Sequence, residues 1–184
     1  MKRAAKYVLP LAAVVATGLE EAADAGDIFL KIEPIQGESL DQDHSGEIDV
    51  LAWSWGVSKP VPDGGGGGGS GPPSFTDIKV IKSFDTASPA LLAGVATGVH
   101  FDDAILSINR QTGKGPVEYL NITLTDVILT KIANGGKDGE PGVSETVTLN
   151  FAKVEINYTQ LDSEGNPVGG ETKTCWDIPT NNGC

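Results

Sequence analysis

The chain has 184 residues and a formal net charge of −12. That length suits one domain with a sizeable hydrophobic core, and 39% hydrophobic residues exclude disorder of the whole chain. So acidic a surface repels phosphates, which argues against nucleic acid or an anionic membrane as partner.

The first 25 residues have the three parts of an export signal. Lys2, Arg3 and Lys6 make a positive start, residues 8–16 are apolar, and Ala23-Asp24-Ala25 is a small-residue cleavage pattern before Gly26. Residues 1–25 are expected to be a signal peptide and 26–184 the mature domain, secreted or periplasmic. The apolar stretch is too short for a membrane span, which takes about 20 residues, so no membrane association is expected once the signal is gone. An uncleaved amphipathic helix is the competing reading, favoured by Glu20 and Glu21. Cleavage removes three basic and three acidic residues and leaves the charge at −12.

Most of the mature domain reads as strands. DIFLKIEP alternates, with Ile28, Leu30 and Ile32 on one face. In EIDVLAWSWGV the apolar set changes parity, from Ile48 and Val50 to Leu51, Trp53, Trp55 and Val57. A second change separates Val147, Leu149 and Phe151 from Ala152, Val154, Ile156 and Tyr158. Parity changes mark bulges or bends, the means by which sheets curl. Between them lie DIKVIKSF, AILSIN and VEYLNITLTDVILTKI, in which Leu120, Ile122, Leu124 and Ile128 are expected to share a face; TKTCWDI closes the chain. Many bent strands predict a mainly β fold, a closed or nearly closed barrel.

A single helix is predicted over SPALLAGVATG. Ser88 is its expected N-cap, Pro89 its first residue, Leu91, Leu92 and Val95 its apolar stripe and Gly98 its stop. So short a helix needs a partner surface.

Residues 59–74, KPVPDGGGGGGSGPPS, interrupt the β pattern. By composition alone the segment is a flexible linker. Inside a compact domain, however, such a stretch is usually functional. Ordering Gly64, Gly65, Gly66, Gly67, Gly68 and Gly69 would cost on the order of 6–12 kcal/mol of backbone entropy. Order in this segment is therefore expected only within an assembly.

Catalytic and metal chemistry find little support. LDQDHSGEID places Asp41, Asp43, Ser45, Gly46 and Asp49 as in a calcium loop, but the bidentate Glu is replaced by Ala52 and the flanks read as strands, so a polar hairpin is expected. The glycine run lacks the Lys and Ser/Thr of a phosphate loop. His44 and His100 have no second ligand at zinc spacing, and no nucleophile elbow is present. Asn121 and Asn157 match the glycosylation acceptor pattern but fall within predicted strands. No catalytic residue, metal or cofactor is expected. Cys175 and Cys184, nine residues apart, suit an oxidising compartment as an intrachain disulfide; two free thiols or a bond to another subunit remain alternatives.

Several strings occur together and in order: DIFLKIEPIQGES, GEIDVLAWSWGVS, GGGGGGSG, SFDTASPALLAGVATG, EYLNITLTDVILT, ETVTLNFAKVEINY and CWDIPTN. With them the chain resembles the haemolysin-coregulated protein (Hcp) family, the tube subunit of type VI secretion, over about 26–180, nearly the whole mature chain. The resemblance implies a curled β-barrel of antiparallel strands with one short α-helix packed on its side. It also implies a homo-hexameric ring, and rings that stack into a secreted tube able to carry small effector cargo, with spike and sheath proteins as further partners. By position, Asp63, Gly64, Gly65, Gly66, Gly67, Gly68, Gly69 and Ser70 match the family's ring-stacking loop. The export signal and the cysteine pair depart from the family pattern, which leaves a second expectation. In it the chain is an exported soluble barrel, an effector or binding module outside any sheath-enclosed tube. An enzyme is the third and least supported class, because 162–184 leaves no room for a fused catalytic domain.

Overall fold

The computed structural model describes residues 26–60, 71–139 and 142–184. The export segment and the glycine run, with Asp63 and Ser70, lie outside these. The main sheet is antiparallel throughout. Its strands are β1 (Ile28–Lys31), β2 (Ile48–Asp49), β3 (Ala52–Ser54), β6 (Ile78–Ser83), β7 (His100–Thr112), β8 (Gly115–Gly135), β9 (Ser144–Tyr158) and β10 (Thr172–Asp177). A separate two-stranded ribbon pairs β4 (Val57–Ser58) with β5 (Ser74–Phe75).

The order β2-β1-β7-β8-β9-β6-β3 puts β2 and β3 at opposite ends of the sheet, yet only Val50 and Leu51 separate them in the chain. The ends must therefore meet. Val50 N–H donates to the Ile28 carbonyl at 2.9 Å and Leu51 N–H to the Ile81 carbonyl at 2.7 Å, so neighbouring residues bond to opposite ends. The parity change expected in EIDVLAWSWGV is this crossing. Leu51, expected to turn inward with Trp53, is 64% exposed because it faces out at the seam.

The curl is concentrated in one line across the three long strands. Buried residues switch parity from Phe101 to Ala104 in β7, from Leu124 to Val127 in β8 and from Phe151 to Val154 in β9. These positions are in register: Phe101 pairs with Val127 and Val127 with Phe151, while Asp103 pairs with Thr125 and Thr125 with Lys153. At the centre of the crease Asp126 has φ 53°, a left-handed conformation that Asp tolerates better than branched residues. It transposes the inward set, so Val127 is fully buried and Ile128, expected on the face of Leu120, Ile122 and Leu124, points the other way. Register slips at Ile108/Asn109 and Leu129/Lys131 add further bends.

Helix α1 (Ser88–Thr97) packs on β8 and closes one side of the core. Its start corrects the sequence expectation. Ala87 already has helical angles, and Asp85 Oδ1 accepts the Ala87 N–H at 2.9 Å while Ser88 Oγ accepts the Asp85 N–H at 3.1 Å. Asp85 thus takes the capping role expected of Ser88, whose own side chain is drawn into the core. Leu91 is fully buried, but Leu92 is exposed because helical spacing carries it past the contact line. A Cβ at Gly94 would stand 3.0 Å from Leu129 Cδ1 and 3.3 Å from Phe101 Cζ, so this glycine brings helix and sheet together. Gly98, at φ 65°, ends the helix by donating to the Gly94 carbonyl at 3.0 Å, the stop expected from its position.

Candidate assembly surfaces

The ribbon that carries the glycine-rich segment is anchored through aromatic side chains. Val57 pairs with Phe75 and Ser58 with Ser74; beside them Thr76 N–H donates to the Gly56 carbonyl and Gly56 N–H to Thr76 Oγ1, each at 3.0 Å. Trp55 stacks on Phe75 at 6.1 Å between centroids, Phe75 meets Trp176 at 6.4 Å, and Trp55 reaches Phe151 in the core at 6.3 Å. This chain of rings joins the ribbon to β10 and to the barrel. Contacts between aromatic rings of this kind contribute about 0.5–1.5 kcal/mol each beyond the area they bury.

A groove of about 380 Å³ runs beside these rings, lined by Trp55, Val57, Phe75, Ile156 and Trp176 and flanked by Lys59 and Pro73. Val57 is 54% exposed at its edge. The structure thus places an apolar surface at the point where residues 59–60 leave the barrel and 71–74 return to it.

Cys175 also lines this groove, and it is joined to Cys184 with the two Cα atoms 5.4 Å apart. Between them the chain turns back on itself, Asp177 and Asn182 exchanging backbone bonds at 2.8 and 3.2 Å. Ile178 N–H donates to the Ala152 carbonyl at 2.9 Å, and Ile178 and Pro179 line a second cleft with Phe75 and Phe151. The Asp177 carboxylate accepts from Thr180 Oγ1 at 2.6 Å and from Thr180 N–H at 2.8 Å, bonds that hold its carboxyl below the usual range. Asp162 is lowered likewise, chiefly by bonds from the Asn166 side chain and backbone.

A second apolar surface lies at the seam. Leu51, Ile81, Phe84 and Val143 are each more than 40% exposed; Phe84 N–H donates to the Val143 carbonyl, and Leu51 and Val143 border one cleft. At the turn after β1, Leu40 is almost wholly exposed. The calcium-like stretch forms a locked turn here, where Asp41 Oδ1 accepts the backbone N–H groups of Asp43 and His44. Its carboxylate serves the backbone.

One cluster escaped sequence reading. Lys82, fully buried, has four oxygens within hydrogen-bond reach of its three ammonium hydrogens: Asp85 Oδ1 at 2.6 Å, the Ser83 carbonyl at 2.8 Å, Ser88 Oγ at 3.1 Å and Glu145 Oε1 at 3.3 Å. A Ser–Lys contact invites a catalytic reading, but Ser88 is only 2% exposed and no substrate could reach its hydroxyl. The cluster ties helix, β6 and β9 together. Its signal was present in the strand period: Lys82 shares parity with Ile78 and Val80, and Glu145 with Val147 and Leu149.

Among the described residues no group of three His, Cys, Asp or Glu side chains is placed to hold a metal, and no helix is long and apolar enough to cross a membrane.

Comparison with known proteins is consistent across sequence and structure. The family described as "Type VI secretion system effector, Hcp" matches residues 29–158. Protein hcp1 of Pseudomonas aeruginosa is 42% identical over 158 residues, covering 85% of this chain and 98% of that protein. The crystal structure of Hcp1 from Salmonella typhimurium superposes with TM-score 0.70 at 35% identity, over 87% of this chain and 99% of that one. A further solved structure, described as a type six secretion system protein, gives TM-score 0.81 at 26% identity, over 87% and 100%.

Proposed function

This chain belongs to the Hcp family of type VI secretion, and on that footing we propose that six copies close into a ring and that rings stack through the segment 59–74. Membership of the family supports a tube subunit of type VI secretion, and on this reading the tube is structural and itself secreted. One observation carries the residue-level reading: the glycine-rich segment springs from an aromatic-anchored ribbon outside the main sheet, beside an apolar groove. On this reading Asp63, Gly64, Gly65, Gly66, Gly67, Gly68, Gly69 and Ser70 meet the neighbouring ring. The exposed Leu51, Ile81, Phe84 and Val143 then suit side-to-side contact between copies. Small effectors would travel inside the tube, with spike and sheath proteins as outer partners.

A second reading draws on the Cys175–Cys184 bond, which suits an oxidising compartment. In it residues 1–25 export the chain before assembly, and the barrel acts as a soluble effector or binding module. The two readings part on assembly. Imaging and solution mass of the purified chain should give rings and stacked rings on the first, and monomers at every concentration on the second.

A further inference from the structure

We propose that the Cys175–Cys184 disulfide is a redox lock on the β4–β5 ribbon, holding it in place when oxidised and loosening it when reduced. Its effect on ring stacking rests on the assembly reading above; its effect on the ribbon does not.

Three observations meet at this bond. Cys175 lies in the same groove as Trp55, Val57 and Phe75, so one end of the disulfide adjoins the ribbon. Next to it Trp176 touches Phe75, which stacks on Trp55, a chain of rings from β10 to the ribbon's base. The loop that the disulfide closes also carries Ile178 and Pro179, which line a cleft together with Phe75 and Phe151. Phe75 thus contacts Trp176 directly and borders, with Ile178 and Pro179, the cleft beside the closed loop.

Besides these contacts the ribbon is held at its base by Trp55 against Phe151 and by the two Gly56–Thr76 bonds. Among the described residues β4 pairs only with β5, over two residue pairs, and is not hydrogen-bonded into the main ladder. Two strands alone are marginal in water, so the ribbon's stability comes from what its side chains touch. Without the disulfide, the loop after β10 is held by Ile178 N–H on the Ala152 carbonyl and, nearer the surface, by the short-range Asp177–Asn182 exchange and Thr180 on Asp177. Such short-range bonds open readily.

The bond is open to reagents because Cys184 is exposed. A thiolate of a small dithiol attacks Cys184 Sγ, forming a mixed disulfide and expelling the Cys175 thiolate, which takes up a proton. The reagent's second thiol then displaces Cys184 as a thiol and closes the reagent's own disulfide. Two electrons pass to the protein and the dithiol is oxidised.

The test is amide hydrogen exchange on the full chain, oxidised and after dithiothreitol, with Cys175→Ser/Cys184→Ser measured without reductant. The lock predicts that the Ile178 and Thr76 amides exchange about tenfold faster or more in both the reduced chain and the double variant, while Leu124 and Val147 in the barrel keep their rates. Faster exchange at Ile178 with Thr76 unchanged would overturn it, because the bond would then hold only its own loop. Equal acceleration at Leu124 and Val147 would also overturn it, showing a general staple. The oxidised chain is imaged for rings in parallel: their absence refutes the assembly reading and leaves the exchange comparison intact.

Discussion

Lys82 and Glu145 are direct cross-strand partners on the β6–β9 ladder, and both side chains are fully buried with Nζ 3.3 Å from Oε1. Glu145 Oε1 also accepts from the Ser88 hydroxyl at 3.1 Å, so this pair fixes where the helix begins. Removing Lys82 leaves the Glu145 charge buried and unpaired, whereas removing Glu145 leaves Lys82 paired with Asp85 Oδ1 at 2.6 Å. Lys82→Met should therefore destabilise the fold by about 3–5 kcal/mol and Glu145→Leu by less, read from denaturant unfolding. The double variant should recover at least about half of that loss, since an apolar pair of similar volume carries no desolvation penalty. Additive losses would mean that the two charges do not act as a pair.

The crease depends on a residue able to hold φ 53° at position 126. Asp126→Asn should be tolerated, since Asn adopts left-handed angles comparably well. Asp126→Val should cost about 1–3 kcal/mol, because a β-branched side chain is strained there. Both variants lose the charge that meets His100 Nδ1 at 2.7 Å, and Asn alone keeps an acceptor oxygen there. Equal melting temperatures for the two would show that the bend does not require this conformation.

Much of the curl was legible from apolar parity, and the reason it was only partly read is physical. In β9 the switch leaves two clean apolar sets, Val147, Leu149 and Phe151 and then Val154, and it was visible. In β7 the same crease falls on Asp102 and Asp103, where no apolar residue marks the phase. In β8 the adjacent Val127 and Ile128 are both apolar, so either could continue the face; only Asp126 at φ 53° decides between them. The helix was placed correctly, but its cap was not. Ser88 has the right chemistry for an N-cap, and what draws it inward is Lys82 and Glu145, the latter 57 residues away in sequence. Of the site residues, the glycine run stood out by composition, whereas the Trp55–Phe75–Trp176 contacts depend on the barrel bringing distant strands together.

Acid should weaken the fold in a defined direction. Asp177 and Asp162 are held below the usual carboxylate range by the hydrogen bonds they accept, so their contribution is fully present above the unfolded value, about 3.9. It is lost as pH falls through the lower folded values. Unfolding free energy should therefore decline on acidification, and Asp177→Asn should flatten part of that decline. An unchanged slope in Asp177→Asn would show that this carboxylate contributes nothing to it.

Deleting 64–69 should leave the barrel folded. The β4–β5 pairs and the Gly56–Thr76 bonds lie outside the deleted stretch, and six fewer residues shorten a loop without removing any described contact. Unfolding curves should match those of the parent within about 1 kcal/mol. Unfolding of the deleted protein would place the glycine run within the core and contradict its assignment to stacking.

Everything proposed for function turns on assembly, and the decisive measurement is negative-stain imaging of the purified chain together with its mass in solution. Rings of six copies that stack are expected, with stacking but not rings reduced by deletion of 64–69. A chain that stays monomeric at high concentration would contradict the tube-subunit reading.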